Sequence, residues 1–199
     1  GQAGHKINFD MNGENQEGFG MFDTTMHQGE RAGAGKYYLN PVKNRNNLKI
    51  ITKAHIKNIE FENKIAKKVN FWTGDKLNTV EASGEIILSA GTIGSPHILQ
   101  ASGLGPAKLL KENGIEVLMD HKSIGQNLTD HLMLRPVYKI KNLETLNDIY
   151  YSFTKKIFTG LKFFLTRTGP LTVGASYLCG FVKSDPHLET PNLQFHVSP

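Results

Sequence analysis

Residues Ser89 to Gly105 read SAGTIGSPHILQASGLG and follow a short apolar run, GEIIL. Gly91, Gly94, Gly103 and Gly105 bracket an apolar centre, HIL. Glycine at the end of a strand lets the main chain approach a bulky or charged group. A helix opening just after it presents unpaired N–H groups to an anion. Such a turn suits close approach of the backbone to something large and charged; tight packing of strand on helix is the alternative these residues leave open.

The other groups capable of chemistry are scattered. Gly29-Glu30-Arg31-Ala32-Gly33-Ala34-Gly35-Lys36-Tyr37 looks like half of a phosphate-binding loop, but its leading glycine position is Glu30. Tyr37 also cannot hold magnesium as the required Ser or Thr does. No G-x-G-x-x-G follows a strand and opens a helix, so no dinucleotide fingerprint is present. The eight histidines include no i, i+4 pair, and Cys179 is the single cysteine, which argues against a zinc site and excludes an internal disulfide. Asp130 and His131 are sequence neighbours whose side chains diverge on a strand, so they do not form a carboxylate–imidazole pair. No G-x-S-x-G nucleophile elbow occurs. Asn127-Leu128-Thr129 matches a glycosylation sequon by a pattern that arises easily by chance.

The elements that must position these groups follow from pattern. With 39% hydrophobic and 21% charged residues in 199, the chain has the composition of an ordinary globular protein of one large or two small domains. The net charge of +5 is dispersed. Short runs such as Lys155-Lys156 read as solvated faces and lack the interleaved aromatics of nucleic-acid binders. No run approaches the roughly 18 apolar residues of a membrane span, and GQAGHKINFD does not resemble a signal peptide.

Residues 1–35 are expected to be extended and loop-rich. KYYLNPVKNRN (36–46) reads as a helix broken at Pro41. LKIIT (48–52), HIKNIEFE (55–62), AKKVNFW (66–72) and GEIILSAG (84–91) are strand candidates, with hairpin links at Glu62-Asn63-Lys64 and Gly74-Asp75. A helix is expected from near Ser95-Pro96, and another over Lys108 to Asn113 stopped by Gly114. IEVLMD (115–120) and LRPVYKIK (134–141) read as strands. Residues 144–165 are apolar at helical spacing, and YLCGFVKS and NLQFHVS are two later strands.

Taken together, these stretches resemble the glucose–methanol–choline (GMC) oxidoreductase family. Gly91 to Gly105 matches that family's second signature at every defined position. Asp10-Met11-Asn12-Gly13 resembles its D-(Y/F)-N-G segment, with Met11 departing at the aromatic. Arg45-Asn46-Asn47-Leu48 resembles R-x-N-L, and Gly125-Gln126-Asn127-Leu128-Thr129-Asp130-His131 resembles G-x-N-L-Q-D-H with Thr129 for Gln. Gly169-Pro170-Leu171-Thr172 and Pro191-Asn192-Leu193-Gln194-Phe195-His196 follow in family order. GENQEGFG with KYYLNPVKNRNNL resembles invertebrate, glucose-dehydrogenase-like members that are often secreted.

The resemblance implies an FAD-dependent enzyme that oxidises an alcohol or sugar hydroxyl to a carbonyl, passing hydride to flavin N5; the electron acceptor is left open. It implies a mixed α/β fold. Residues 1–130 would supply part of a Rossmann-like flavin domain with a β-meander, and residues 131–199 would begin an antiparallel-sheet substrate domain. It implies cofactor-binding residues Ile56, for the adenine, and Ser89, Ala90 and Gly91, for the diphosphate region. It places the dinucleotide fingerprint ahead of residue 1 and the catalytic histidine beyond residue 199, so no catalytic residue is expected in this chain and FAD binding by the chain alone is expected to be weak. Ala175-Ser176-Tyr177 stands where relatives often carry an acid or an amide. A non-catalytic relative serving as a binding or scaffolding module is the alternative, and a short protein completed by a partner is a third.

Overall fold

The computed structural model describes residues 4–174 and 176–198; Ala175 lies outside them. The strands are β1 (Gly18–Met21), β2 (Met26–His27), β3 (Glu30–Arg31), β4 (Ala54–Glu62), β5 (Ile65–Thr73), β6 (Lys76–Glu81), β7 (Leu104–Gly105), β8 (Met119–Asp120), β9 (Leu178–Val182) and β10 (Leu193–Val197). The α-helices are α1 (Gly91–Ala101), α2 (Ala107–Glu112), α3 (Leu146–Tyr150) and α4 (Phe153–Thr166). The mixed α/β class with antiparallel sheets and a meander is as expected. The chain forms two compact units, Lys49–Arg135 and the combination of Gly1–Leu48 with Pro136–Pro199.

In the unit from Lys49 to Arg135, β4, β5 and β6 form an antiparallel meander in that order. Asn63 and Lys64, at φ 51° and 66°, make the two-residue turn between β4 and β5. Positive φ at both central residues suits the right-handed twist of the flanking strands. Gly74, at φ 57°, opens the turn into β6. The sequence reading stopped at this turn and missed β6, because KLNTVE is polar and carries no alternating apolar face. Its ladder to β5, with Thr73 opposite Lys76 and Lys68 opposite Glu81, makes it a strand.

Ile59 and Phe71 are buried in this meander. Buried Asn70 is satisfied across all three strands: its amide donates to Asn58 Oδ1 at 3.1 Å and Glu60 Oε1 at 2.6 Å, and its oxygen accepts from Thr79 Oγ1 at 2.6 Å. Helix α1 packs on β4. After it, β7 and β8 pair in parallel, Leu104 with Met119 and Gly105 with Asp120. Helix α2 ends as its sequence indicates. Gly114 takes φ 68° after Asn113, Ile115 N–H donates to Leu110 C=O at 2.9 Å, and Gly114 N–H donates to Lys111 C=O at 3.1 Å. This is the paired closure of a Schellman ending.

Several expected elements differ. LKIIT and GEIIL join no ladder; Ile50 and Ile51 are exposed and Ile87 is 84% exposed. IEVLMD shortens to β8, and LRPVYKIK forms no strand, with Val137 91% exposed. These runs have strand composition, but a strand also needs a neighbour to bond, and the described residues supply none. Helix α1 begins at Gly91, four residues before the expected start, so Pro96 is its sixth residue and not in its first turn.

In the other unit, β1, β9 and β10 make an antiparallel sheet in that order, pairing Gly18 with Phe181 and Phe195 with Gly180. The ladder ties residues near the start of the chain, read as loop and grouped with the flavin part, to β9. Cys179 is fully buried in this sheet, and burial pushes its thiol pKa up. Met11, the departure from the aromatic family position, is also buried. The expected helix over 36–46 is a π-helical turn, Gly35–Leu39, running into a 3₁₀ turn, Asn40–Val42, with Pro41 near its start. The helical stretch 144–165 divides at Tyr151-Ser152. Thr145 and Asp148 form a capping box on α3, and the Ser152 hydroxyl accepts from Lys155 N–H at 3.4 Å to start α4.

Candidate functional site

The head of α1 combines three features that suit an anion. Gly91 sits at φ 82°, a left-handed conformation that L side chains adopt only with strain. Nothing lies within 4 Å of where its Cβ would be, so its outer side is open. No side chain caps the helix and no acid occupies its first turn. The first N–H groups of a helix lack intrahelical partners and carry its positive dipole end. One amide is engaged: Ala90 N–H donates to Ser95 Oγ at 3.1 Å, which closes the turn ahead of the helix. Ser89, Ala90 and Gly91 are all exposed there.

A cleft of about 690 Å³ runs along α1 between Thr92, Ser95, His97 and Gln100 on the helix and Ser123 to Thr129 on the following loop. That volume lies in the range of small-molecule sites. Its walls mix apolar Ile93, Leu99 and Leu128 with polar Gln100, Gln126 and Asn127. Gln100 ties the two walls, donating from Nε2 to Ile124 C=O at 3.0 Å. Gly125, against that amide, and Asn127, at φ 58°, shape the loop. Sequence reasoning noticed both walls as family segments but assigned neither to a site. Their meeting depends on contacts 24 residues apart, of which the Gln100–Ile124 bond is one.

Ile56 lies half-buried on β4 opposite Phe71, next to a slip in register that falls between Ile56 and Asn58. Such a bulge leaves backbone groups out of the regular ladder. The strand and helix are stapled by Ser102, 5% exposed, whose Oγ accepts from Ile59 N–H at 2.7 Å and donates to Ile98 C=O at 2.6 Å. One serine in the signature therefore fixes α1, which Ser89-Ala90-Gly91 opens, against the strand carrying Ile56. Gly103, at φ 88°, completes the join: a Cβ there would stand 2.6 Å from Glu116 C=O. An open glycine turn, an uncapped helix start free of acids, and a bulged strand fit a diphosphate-bearing flavin cofactor.

Asp130 accepts from the His131 backbone N–H at 2.8 Å, and His196 stacks on Phe22 with ring centres 5.0 Å apart. Among the described residues no group of three or more His, Cys, Asp or Glu side chains could hold a metal. In the unit that includes residues 1–48, the failed phosphate loop has a different role. Glu30 bridges Lys36 and Arg167, the latter at 2.9 Å. The hydrogen bond from Lys36, then the charges of Lys36 and Arg167, hold the Glu30 carboxyl below its ordinary value.

Comparison with known proteins agrees with this geometry. The family model for GMC oxidoreductase matches residues 1–133. The chain belongs to the GMC oxidoreductase family. An oxygen-dependent choline dehydrogenase of Staphylococcus aureus is 37% identical over 198 residues, covering 100% of this chain and 34% of that protein. An FAD-dependent oxidoreductase from Chaetomium thermophilum superposes with a TM-score of 0.77 at 28% identity, over 90% of this chain and 32% of its own. A formate oxidase from Aspergillus oryzae reaches 0.79 at 27% identity, over 94% and 32%. The chain thus spans about a third of the length of the relatives it matches. The GMC family and the FAD-dependent relative support FAD as the cofactor.

Proposed function

We propose that the complete gene product oxidises an alcohol or sugar hydroxyl to a carbonyl, with FAD taking the hydride, and that this chain contributes part of the flavin-holding framework. The head of α1 carries the reading, because an open glycine at φ 82° precedes a helix start with no capping side chain and no acid. When bound, FAD supplies the hydride acceptor. The main chain at Ser89-Ala90-Gly91 would hold the diphosphate region, and the Ile56 main chain would meet the adenine edge. Ser102 keeps these two segments in fixed relation through Ile59. No histidine of this chain is assigned to take the alcohol proton. The choline dehydrogenases that match along the chain make a choline-like alcohol the first substrate to try. The GENQEGFG segment keeps a glucose-dehydrogenase-like substrate second.

The test is to purify the complete gene product, measure its flavin absorbance and released FAD, and assay alcohols and sugars with oxygen and with an artificial electron acceptor. Stoichiometric FAD and turnover of an alcohol support the reading. A folded product that holds no FAD and regains none on incubation defeats it. A product that keeps FAD without turnover favours the non-catalytic relative.

A further inference from the structure

Gln100, half-buried near the end of α1, has its side chain packed against two glycines. A Cβ on Gly105 would stand 3.0 Å from Gln100 Cγ, and a Cβ on Gly125 would overlap Nε2. The first is a tight contact and the second a clash, so alanine at 125 requires the glutamine or the loop to move. The amide at the end of this path has a fixed orientation. Ile124 C=O lies 3.0 Å away and can only accept, so the amino end faces it. Oε1 is then left without a partner among the described residues, and it is not buried.

The loop Ser123 to Thr129 has few other restraints. Gln126 N–H donates to Ser123 C=O at 3.1 Å and Ile124 N–H to His121 C=O at 3.3 Å, both along the chain itself. Among the described residues, the Gln100 bond is the one hydrogen bond that joins this loop to α1. Both partners lie within the unit from Lys49 to Arg135. The cleft between them has no Asp, Glu, Lys or Arg in its walls. Uncharged walls act through fit, and fit is best when their spacing is set before the ligand arrives.

We propose that Gln100 is a positioning residue of the flavin site: its amide, seated against Gly105 and Gly125, sets the span of the cleft that takes an uncharged part of FAD alongside α1. It acts through the loop and not on the reacting atoms. The proposal rests on the flavin reading above. Losing the tie leaves FAD to order the loop on binding, a penalty of about fivefold in affinity, the size of one hydrogen bond.

The experiment uses the complete gene product with Gln100→Leu, Gly125→Ala, Gln100→Ala, or the last two combined. It reads FAD release on dilution, hydrogen exchange, and denaturation of the FAD-free protein. Gln100→Leu, similar in length but without a donor, is expected to hold FAD about fivefold more weakly and to speed exchange at the Gln126 amide. Exchange at Ile59 and the FAD-free denaturation midpoint stay unchanged. Gly125→Ala is expected to weaken FAD about tenfold by pushing the loop off the amide. Backbone strain at φ 77° is common to both backgrounds. The loss caused by Gly125→Ala is therefore expected to be about threefold or more smaller in the Gln100→Ala background. Equal losses in the two backgrounds overturn the proposal, as does a Gln100→Leu protein that keeps FAD as tightly as the unmodified one. A Gln100→Leu protein whose Ile59 exchange and FAD-free midpoint shift together with FAD has lost general stability only, which overturns it as well. An unmodified product that holds no FAD removes the flavin reading and this proposal with it, whereas failure of the variants alone leaves the flavin reading standing.

Discussion

Replacing Ser102 with alanine tests whether one hydroxyl holds the two segments proposed to bind FAD. Its Oγ is the acceptor for the Ile59 N–H at 2.7 Å, and both residues are 5% exposed. Ile98 C=O loses the hydroxyl donor but still accepts from the Ser102 backbone N–H at 3.0 Å. The damage therefore falls on the Ile59 amide, left buried without a partner. Leaving a buried donor unsatisfied costs about 1–3 kcal/mol. A middle value of about 2 kcal/mol is roughly a thirtyfold shift in an opening equilibrium. Hydrogen exchange on the flavin-loaded gene product reads this directly: the Ile59 amide is expected to exchange roughly thirtyfold faster in Ser102→Ala, with α1 following and FAD released more readily on dilution. Ser95→Ala, which removes only an exposed turn bond, serves as the comparison and shifts stability by about 0.5 kcal/mol or less. If Ile59 exchange changes by less than about twofold, the staple is not what couples β4 to α1, and the argument for Ser102 fails.

The remaining predictions concern backbone strain and charge. Gly91→Ala places a side chain at φ 82° in open space, so it loses about 1–2 kcal/mol and lowers FAD content. Gly103→Ala carries the same strain plus a Cβ 2.6 Å from Glu116 C=O, so it is the more destabilising of the two in denaturant titration; the reverse order contradicts the geometry. Glu30 has its carboxyl pKa depressed below 4.5, first by the Lys36 hydrogen bond. Its contribution is therefore present above pH 4.5 and lost as pH falls through the lowered value, and Glu30→Gln abolishes that loss. Carboxyl NMR with a Glu30 midpoint at or above 4.5 would contradict this. Thr145→Ala removes the hydroxyl that accepts from Asp148 N–H and donates to its carboxylate. It is expected to weaken α3 by about 1 kcal/mol and to raise the Asp148 pKa toward its ordinary 3.8, because the Thr145 backbone and side-chain hydrogen bonds are what lower it.

The parts of the fold legible in sequence were those set by neighbours along the chain. The β4–β5 turn follows from Asn63-Lys64 and the end of α2 from Gly114, whereas the break at Tyr151-Ser152 that divides 144–165 into α3 and α4 was not read. What escaped was set by distant partners. β1 carries no strand pattern, and its ladder to β9, about 160 residues away, defines it. GEIIL and LRPVYKIK fail in the opposite sense, with strand composition and no partner to pair with among the described residues. The start of α1 was misplaced because Pro96 looked like a first-turn residue, whereas Gly91 and the Ala90–Ser95 bond set the start earlier.

The candidate site divides along the same line. A glycine turn leading into a helix is written locally, so Ser89, Ala90 and Gly91 stand out from one stretch of sequence. The opposite wall of the cleft, Ser123 to Thr129, contains no group that announces binding. It becomes a wall because Gln100 reaches Ile124 and because Gly125 leaves room for that amide: a Cβ on Gly125 would lie 2.3 Å from Gln100 Nε2. A larger residue at 125 would push the loop off α1 and alter the cleft without changing any residue proposed to touch FAD. Of the signature's small residues, then, Gly91 is the one proposed to meet the cofactor, whereas Ser102 and Gly103 hold the helix in place. Substitutions at the first should alter flavin binding more than folding. At the other two, loss of flavin should accompany faster exchange at Ile59 or weakened β7–β8 pairing, and that difference separates contact with FAD from support of the residues that make it.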